Sequence, residues 1–210
     1  MIKYLIFTLC VMTACSSLPS IDYIAYAQSS FNYVSGKNNY HITQEDFDNQ
    51  EYSFLKVRIG RSAAVTMVLA YANDGIYEWV GADNKKLYTF KGKVIESSGF
   101  TNDIKIQYPK SKIKDFFNVL EMNYAVDFFQ PQLLNLNVNT MISQDTKSSS
   151  FVRLNNKELF QGYKEIISSP LIGWRASNYY YYDSEGKIFK TIQEIHPRIP
   201  PLEIEFYIKL

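Results

Sequence analysis

Cysteine is almost missing from this chain: Cys10 and Cys15 are the two it has, and none follows them. A disulfide framework and a cysteine-rich metal site are therefore excluded from the body of the protein. Histidine is equally scarce. His41 lies in a polar stretch and His196 precedes a proline, and neither stands near a G-x-S-x-G elbow, so serine–histidine catalysis has no foothold. G-x-G-x-x-G and phosphate-loop motifs are absent, and no cofactor is implied. The acidic group Glu45-Asp46-Asp48 lacks the central glycine and alternating oxygen ligands of a calcium loop, and reads instead as a helix start. Charge of one sign is missing too. The formal +1 includes Lys3, so the side chains beyond the N-terminal segment balance, which excludes a basic field for nucleic acid. No apolar run reaches the roughly 20 residues that a membrane-spanning helix needs.

What is present begins at the N-terminus. Lys3 supplies a positive start, Leu5 to Met12 an apolar centre, and Thr13-Ala14 the small pair directly before Cys15. That order is a bacterial lipobox: the thiol is acylated and the chain cut ahead of it. Residues 1–14 are then a signal peptide and Cys15 the lipid attachment. One acyl chain holds only marginally, at about 0.8 kcal/mol per buried methylene, whereas two or three anchor durably. Ser16-Ser17 follow the cysteine with no aspartate, which favours the outer membrane, periplasmic side. Residues 15–20 form a tether and 21–210 a single domain, large enough for its own core.

Aromatics are plentiful, with 17 Tyr and 14 Phe, and fit pleated, half-buried surfaces. Apolar spacing predicts helices over 21–34, from Thr43 to Gln50, and over Ile113–Glu121. Between and after these, alternation and turn signals predict strands at Tyr52–Ile59, Ala63–Ala72, Ile76–Gly81, Leu87–Phe90 and Lys93–Ser97. Further strands are expected at Asn135–Gln144, Phe151–Leu154, Tyr163–Ser168, Tyr179–Asp183, Lys187–Ile195 and Leu202–Leu210. Asn73-Asp74-Gly75, Asp83-Asn84-Lys85, Lys91-Gly92 and Ser184-Glu185-Gly186 supply hairpin turns. The expected fold is mostly β: one strongly curved antiparallel sheet, a half-barrel or open barrel, with two or three short helices. Ala63–Ala72, nearly all apolar or β-branched, is expected as a central strand.

A glycosidase needs two carboxylates across a cleft; Glu78 with Asp83, or Asp183 with Glu194, are the pairs to consider. Trp79, Trp174 and Tyr181 are candidates for contact with a glycan or a partner, since amphipathic rings stack on sugar faces. In the run Tyr179 to Tyr182, alternate residues face opposite sides of a strand.

Several segments together resemble a known family. They are the lipobox at Cys15, Arg61-Ser-Ala-Ala-Val-Thr-Met-Val-Leu-Ala, Gly75-Ile-Tyr-Glu-Trp-Val-Gly-Ala-Asp83, Lys86 to Gly99, Asn178 to Asp183 and Gln193-Glu-Ile-His-Pro197. In order and spacing these are similar to the YjbF-type, or group 4 capsule polysaccharide, lipoproteins. Lys91-Gly-Lys93 stands where that pattern has a Gly-Arg pair, and Tyr182 where it tends to have tryptophan. The resemblance implies a non-catalytic outer-membrane lipoprotein that assists capsule or exopolysaccharide export. Its implied partners are the membrane, through Cys15, the export machinery and the polysaccharide itself. Two other readings stand beside it: a periplasmic lipid or lipoprotein carrier, with acyl chains in an apolar concave face, and a glycan-cleaving enzyme.

Overall fold

The computed structural model describes residues 41–107, 120–145 and 148–209. Cys15, the signal segment, the tether, the helix expected over 21–34 and nearly all of that expected over Ile113–Glu121 lie outside these residues. The described chain opens with a short helix, α1 (Gln44–Asn49), closed by a capping box in which Thr43 and Asp46 bond each other's backbone. Thirteen strands follow: β1 (Phe54–Ile59), β2 (Val65–Asn73), β3 (Ile76–Gly81), β4 (Lys86–Phe90), β5 (Lys93–Ser98), β6 (Ile104–Gln107), β7 (Glu121–Phe129), β8 (Gln132–Gln144), β9 (Ser149–Arg153), β10 (Asn156–Ser169), β11 (Trp174–Tyr182), β12 (Ile188–Gln193) and β13 (Leu202–Tyr207).

All the pairings are antiparallel, and β11 pairs with both β12 and β10, so twelve strands close into a ring with β9 attached to β10 outside it. The barrel is closed where an open half-barrel was expected. Closure removes the unpaired strand edges that a meander of this length otherwise exposes. Two further expectations change. Among the described residues α1 is the one α-helix, and β6 and β7 are strands that the sequence reading did not assign. Glu121, expected to end a helix, starts β7, where Met122, Tyr124, Val126 and Phe128 point into the core on alternate positions.

β2 also differs. It is paired on both sides, but Met67 is its one buried residue, and Val65, Val68 and Tyr71 are exposed. In a closed barrel every strand is central in its hydrogen bonding, yet has one face in solvent. Apolar composition therefore does not mark the buried strand here.

In the ring order β12 lies directly opposite β5, and the two touch across the interior. The Gln193 amide bridges to β5, accepting from the Val94 N–H at 3.0 Å and donating to the Gly92 carbonyl at 2.8 Å. Gly92 is required at this approach: its φ is +81°, and a Cβ there would sit 2.6 Å from Ile188 Cγ1. The barrel is thus pinched, and one continuous core fills the lobes on either side of the contact. Leu55, Met67, Trp79, Leu87, Leu202 and Phe206 pack on the β13–β1–β4 side, and Tyr124, Phe128, Val138, Ile167, Trp174 and Tyr180 on the β6–β11 side. Gly92→Ala is expected to lower the unfolding free energy by about 2–4 kcal/mol, left-handed strain and overpacking acting together. Chemical denaturation measures it; unchanged stability would mean that the strands do not meet there.

A second, smaller core lies on the outside of β12, β13 and β1. Phe54 and Tyr207 stack at 4.9 Å beside Phe47 of α1, and Phe160 of the β9–β10 hairpin stacks on Phe189 at 4.6 Å. The hairpin turn at Leu154-Asn155 has both residues at positive φ. Next to this patch, Arg58, Lys190, Glu203 and Glu205 form a charged ladder across the same three strands. Such half-exposed pairs set register more than they add stability.

Candidate functional site

The most polar feature of the interior is a buried ion pair. Lys93 opens β5 and Glu165 sits mid-β10, and both side chains are almost wholly out of solvent. The Lys93 ammonium donates to Glu165 Oε1 at 2.5 Å and to the Tyr124 hydroxyl at 3.2 Å. Glu165 also accepts from Thr140 at 2.8 Å, from Asn178 at 3.1 Å and from Tyr180 at 2.6 Å. Burial by itself would raise the Glu165 carboxyl; the Lys93 charge and the bonds from Lys93, Tyr180 and Thr140 outweigh it and hold it below the usual carboxylate range. Burial draws the Lys93 ammonium below its ordinary value, with Glu165 opposing. A carboxylate with four donors is satisfied and enclosed. It ties β5, β7, β8, β10 and β11 together, and is better suited to fixing the lobe than to acting on a substrate.

The ends of the barrel are more open. At one end, a pocket of about 440 Å³ lies among the β1, β4, β5 and β12–β13 termini, with Ile59, Leu87, Phe100, Ile195, Ile199 and Leu202 as its apolar lining. At the other end, a pocket of about 390 Å³ lies between the β4–β5 and β11–β12 turns. Lys91, Gln161, Tyr163, Tyr182, Asp183 and Ser184 line it, and the two tyrosine rings meet edge to face at 5.6 Å. The Tyr182 hydroxyl donates to the Lys91 carbonyl at 2.7 Å, which fixes its ring at the mouth. Burial raises the Tyr182 phenol, so it stays a neutral donor.

The residues singled out from the sequence fall in different places. Trp79 is completely buried, its indole N–H donating to Thr89 at 2.9 Å and its ring between Tyr77 and Phe206. Trp174 is buried against Phe128 at 5.7 Å. Both expectations of surface contact are corrected: an inward position on a closed barrel places each ring in the core. Tyr181 faces outward but packs on Phe151 of the β9 hairpin at 4.8 Å. His196 is buried beside Phe128, and its Nδ1 accepts from the Arg198 N–H, so it is a packing histidine.

The paired carboxylates do not converge. Asp183 and Glu194 stand beyond opposite ends of β12, with Asp183 committed to its turn and to Arg153. Glu78 is paired with Lys86, and Asp83 with Lys85, whose hydrogen bond lowers the Asp83 carboxyl. Among the described residues no group of three or more histidines, cysteines and acids is placed to hold a metal. Among the described residues, the side chains that fill the barrel interior leave no enclosed acyl cavity there of the kind the carrier reading needs.

Sequence reasoning missed Lys93, Glu165 and Tyr163, and named Tyr182 only within the aromatic run Tyr179 to Tyr182. The signal for Glu165 was its spacing: Tyr163, Glu165, Ile167 and Ser169 alternate onto the inner face of β10.

A closed antiparallel barrel, pinched and filled by its own side chains, with a hairpin and a short helix covering one outer flank, defines the class of protein. The family model of the group 4 capsule polysaccharide lipoproteins (gfcB, YjbF) matches residues 27–207, and the chain belongs to that family. The fold is shared with the hypothetical lipoprotein YmcC from Escherichia coli K12, at 16% identity and a TM-score of 0.66, covering 92% of this chain and 98% of that one. A lipoprotein from Parabacteroides distasonis superposes less well, at 12% identity and a TM-score of 0.36, covering 76% and 95%. An exported protein with YmcC-like fold from Bacteroides fragilis gives 10%, 0.35, 76% and 96%. No curated protein matches the sequence.

Proposed function

We propose that this protein is a non-catalytic lipoprotein of the outer membrane, anchored through Cys15 on the periplasmic side, that assists export or assembly of a capsule polysaccharide. Membership of the capsule polysaccharide lipoprotein family is the observation that carries this reading. The lipobox supports the anchoring, and tethering to one membrane lets weak contacts with export components act, because it raises their effective concentration. The mouth lined by Tyr163 and Tyr182 supports the choice of ligand: two aromatic rings beside amide, hydroxyl and charged groups match a saccharide's apolar faces and its hydroxyls.

The test is genetic and chemical. A strain lacking the protein is complemented with the natural chain, with Cys15→Ala, or with Tyr163→Ala. Secreted polysaccharide is expected to fall in amount or length without the protein, and to be restored by the natural chain alone. Unchanged polysaccharide in the deletion strain sinks the proposal.

A further inference from the structure

We infer that the apolar mouth, at the barrel end opposite Tyr163 and Tyr182, is a binding site for a single alkyl chain carrying an anionic head. This inference does not depend on the role in polysaccharide export. Three observations carry it. First, the pocket exists as built: about 440 Å³ lies within the range of ligand sites and suits one chain better than two.

Second, its walls are pinned independently of any occupant. On one side the Asp103 carboxylate accepts from Ser97 Oγ at 2.8 Å, from the Gly99 N–H at 2.9 Å and from the Phe100 N–H at 3.1 Å, fixing the loop that presents Phe100. On the other, the Gly60 N–H donates to the Pro201 carbonyl at 3.0 Å, and a Cβ at Gly60 would lie 2.7 Å from Pro200, so the segments that carry Ile59 and Ile199 are held together. A rigid apolar hollow open to water is unfavourable when empty and is relieved by methylenes.

Third, the polar lining residues come from the start of β4, from β5 and from the loop after it. Lys85, Ser97, Thr101 and Asn102 line the pocket with Phe100, Ser97 bonded to Asp103 and the Lys85 ammonium 5.8 Å from the Phe100 ring. Lys85 is also paired with Asp83, both being substantially exposed, so a carboxylate or phosphate head can share it at little cost. A sugar would need polar groups distributed around it, whereas Ile59, Leu87, Ile195, Ile199 and Leu202 offer none. The same barrel end exposes Phe129, Leu134 and Leu171, which suits approach to an amphiphile. The site is a shallow mouth and leaves the filled interior untouched.

The experiment uses the full chain carrying Cys15→Ser, so that its own acylation does not compete. Octanoate, decanoate and dodecanoate are titrated with detection by NMR of the Phe100 and Ile199 resonances. Saturable binding is expected, tightening by up to about fourfold per added methylene until the pocket is full. Ile199→Glu should weaken dodecanoate at least tenfold, and Leu171→Glu, on the exposed turn at the same end, should leave it unchanged. Lys85→Gln should abolish the preference for dodecanoate over dodecanol. Near-UV circular dichroism confirms that each variant is folded. The inference is overturned if folded protein binds no dodecanoate, if affinity ignores chain length, or if Ile199→Glu binds as the natural chain does. It is also overturned if phosphatidylglycerol vesicles bind while monomeric dodecanoate does not. None of these results bears on the polysaccharide phenotype, so the two proposals fail separately.

Discussion

Replacing Glu165 by glutamine is expected to destabilise the protein by about 3–5 kcal/mol, the magnitude seen when one partner of a buried ion pair is removed. The cause is twofold. Lys93 is left charged and almost wholly buried, and the glutamine amide turns an N–H toward donors that the carboxylate received at both oxygens. Lys93→Met should cost less, because Glu165 keeps its bonds from Thr140, Asn178 and Tyr180. Urea denaturation ranks the two variants; equal stability of Glu165→Gln and the natural chain would remove the pair from any structural role.

The pH dependence has a definite sign. The Glu165 carboxyl lies lower in the folded chain than its ordinary 4.5, so the unfolded chain binds more protons in that window. Its stabilisation is complete above about pH 4.5 and is lost as pH falls through the depressed folded value. Glu165→Gln should flatten this acid limb. With its partner neutral, Lys93 is pushed further below 10.5, so the variant should instead gain stability as pH rises toward that value. An acid limb of natural steepness in Glu165→Gln would contradict the account.

Trp79→Ala is expected to cost a similar amount, about 3–5 kcal/mol, as a large buried ring is exchanged for a cavity. The side chain is fully enclosed, touches Tyr77 and Phe206 edge to face at 5.9 and 5.8 Å, and leaves Thr89 without its donor when removed. Thermal denaturation should show a much smaller loss for Tyr181→Ala, on the outer face against Phe151. The contrast separates two roles for aromatics that look alike in the sequence. A Trp79→Ala protein of natural stability that had lost saccharide contact would restore Trp79 as a surface residue and overturn its placement in the core.

Much of the fold was legible because its rules are local. Asp74-Gly75 and Lys91-Gly92 turn where consecutive residues at positive φ are needed, and these hairpins stand as expected. The alternation of Leu202, Ile204 and Phe206 against Glu203 and Glu205 assigned β13 to a core face and a charged face. β7 was missed although Met122, Tyr124, Val126 and Phe128 alternate as cleanly, because a helical reading of the preceding residues was carried through Glu121. The candidate sites were less legible. Trp79 and Trp174 were chosen as rings able to stack, and a ring's chemistry is the same inside the barrel and outside it.

The sequence by itself determined the wealth of strands and their antiparallel order, since these follow from short-range patterns and tight turns. Closure of the ring through β1 and β13 joins residues 143 to 153 positions apart in the chain, the contact of Gln193 with Gly92 residues 101 apart, and the meeting of Lys93 with Glu165 residues 72 apart. Such contacts depend on strand tilt and on the distance between opposite walls, which no local pattern encodes. The tertiary structure alone decided which aromatics are core and where the two open mouths lie.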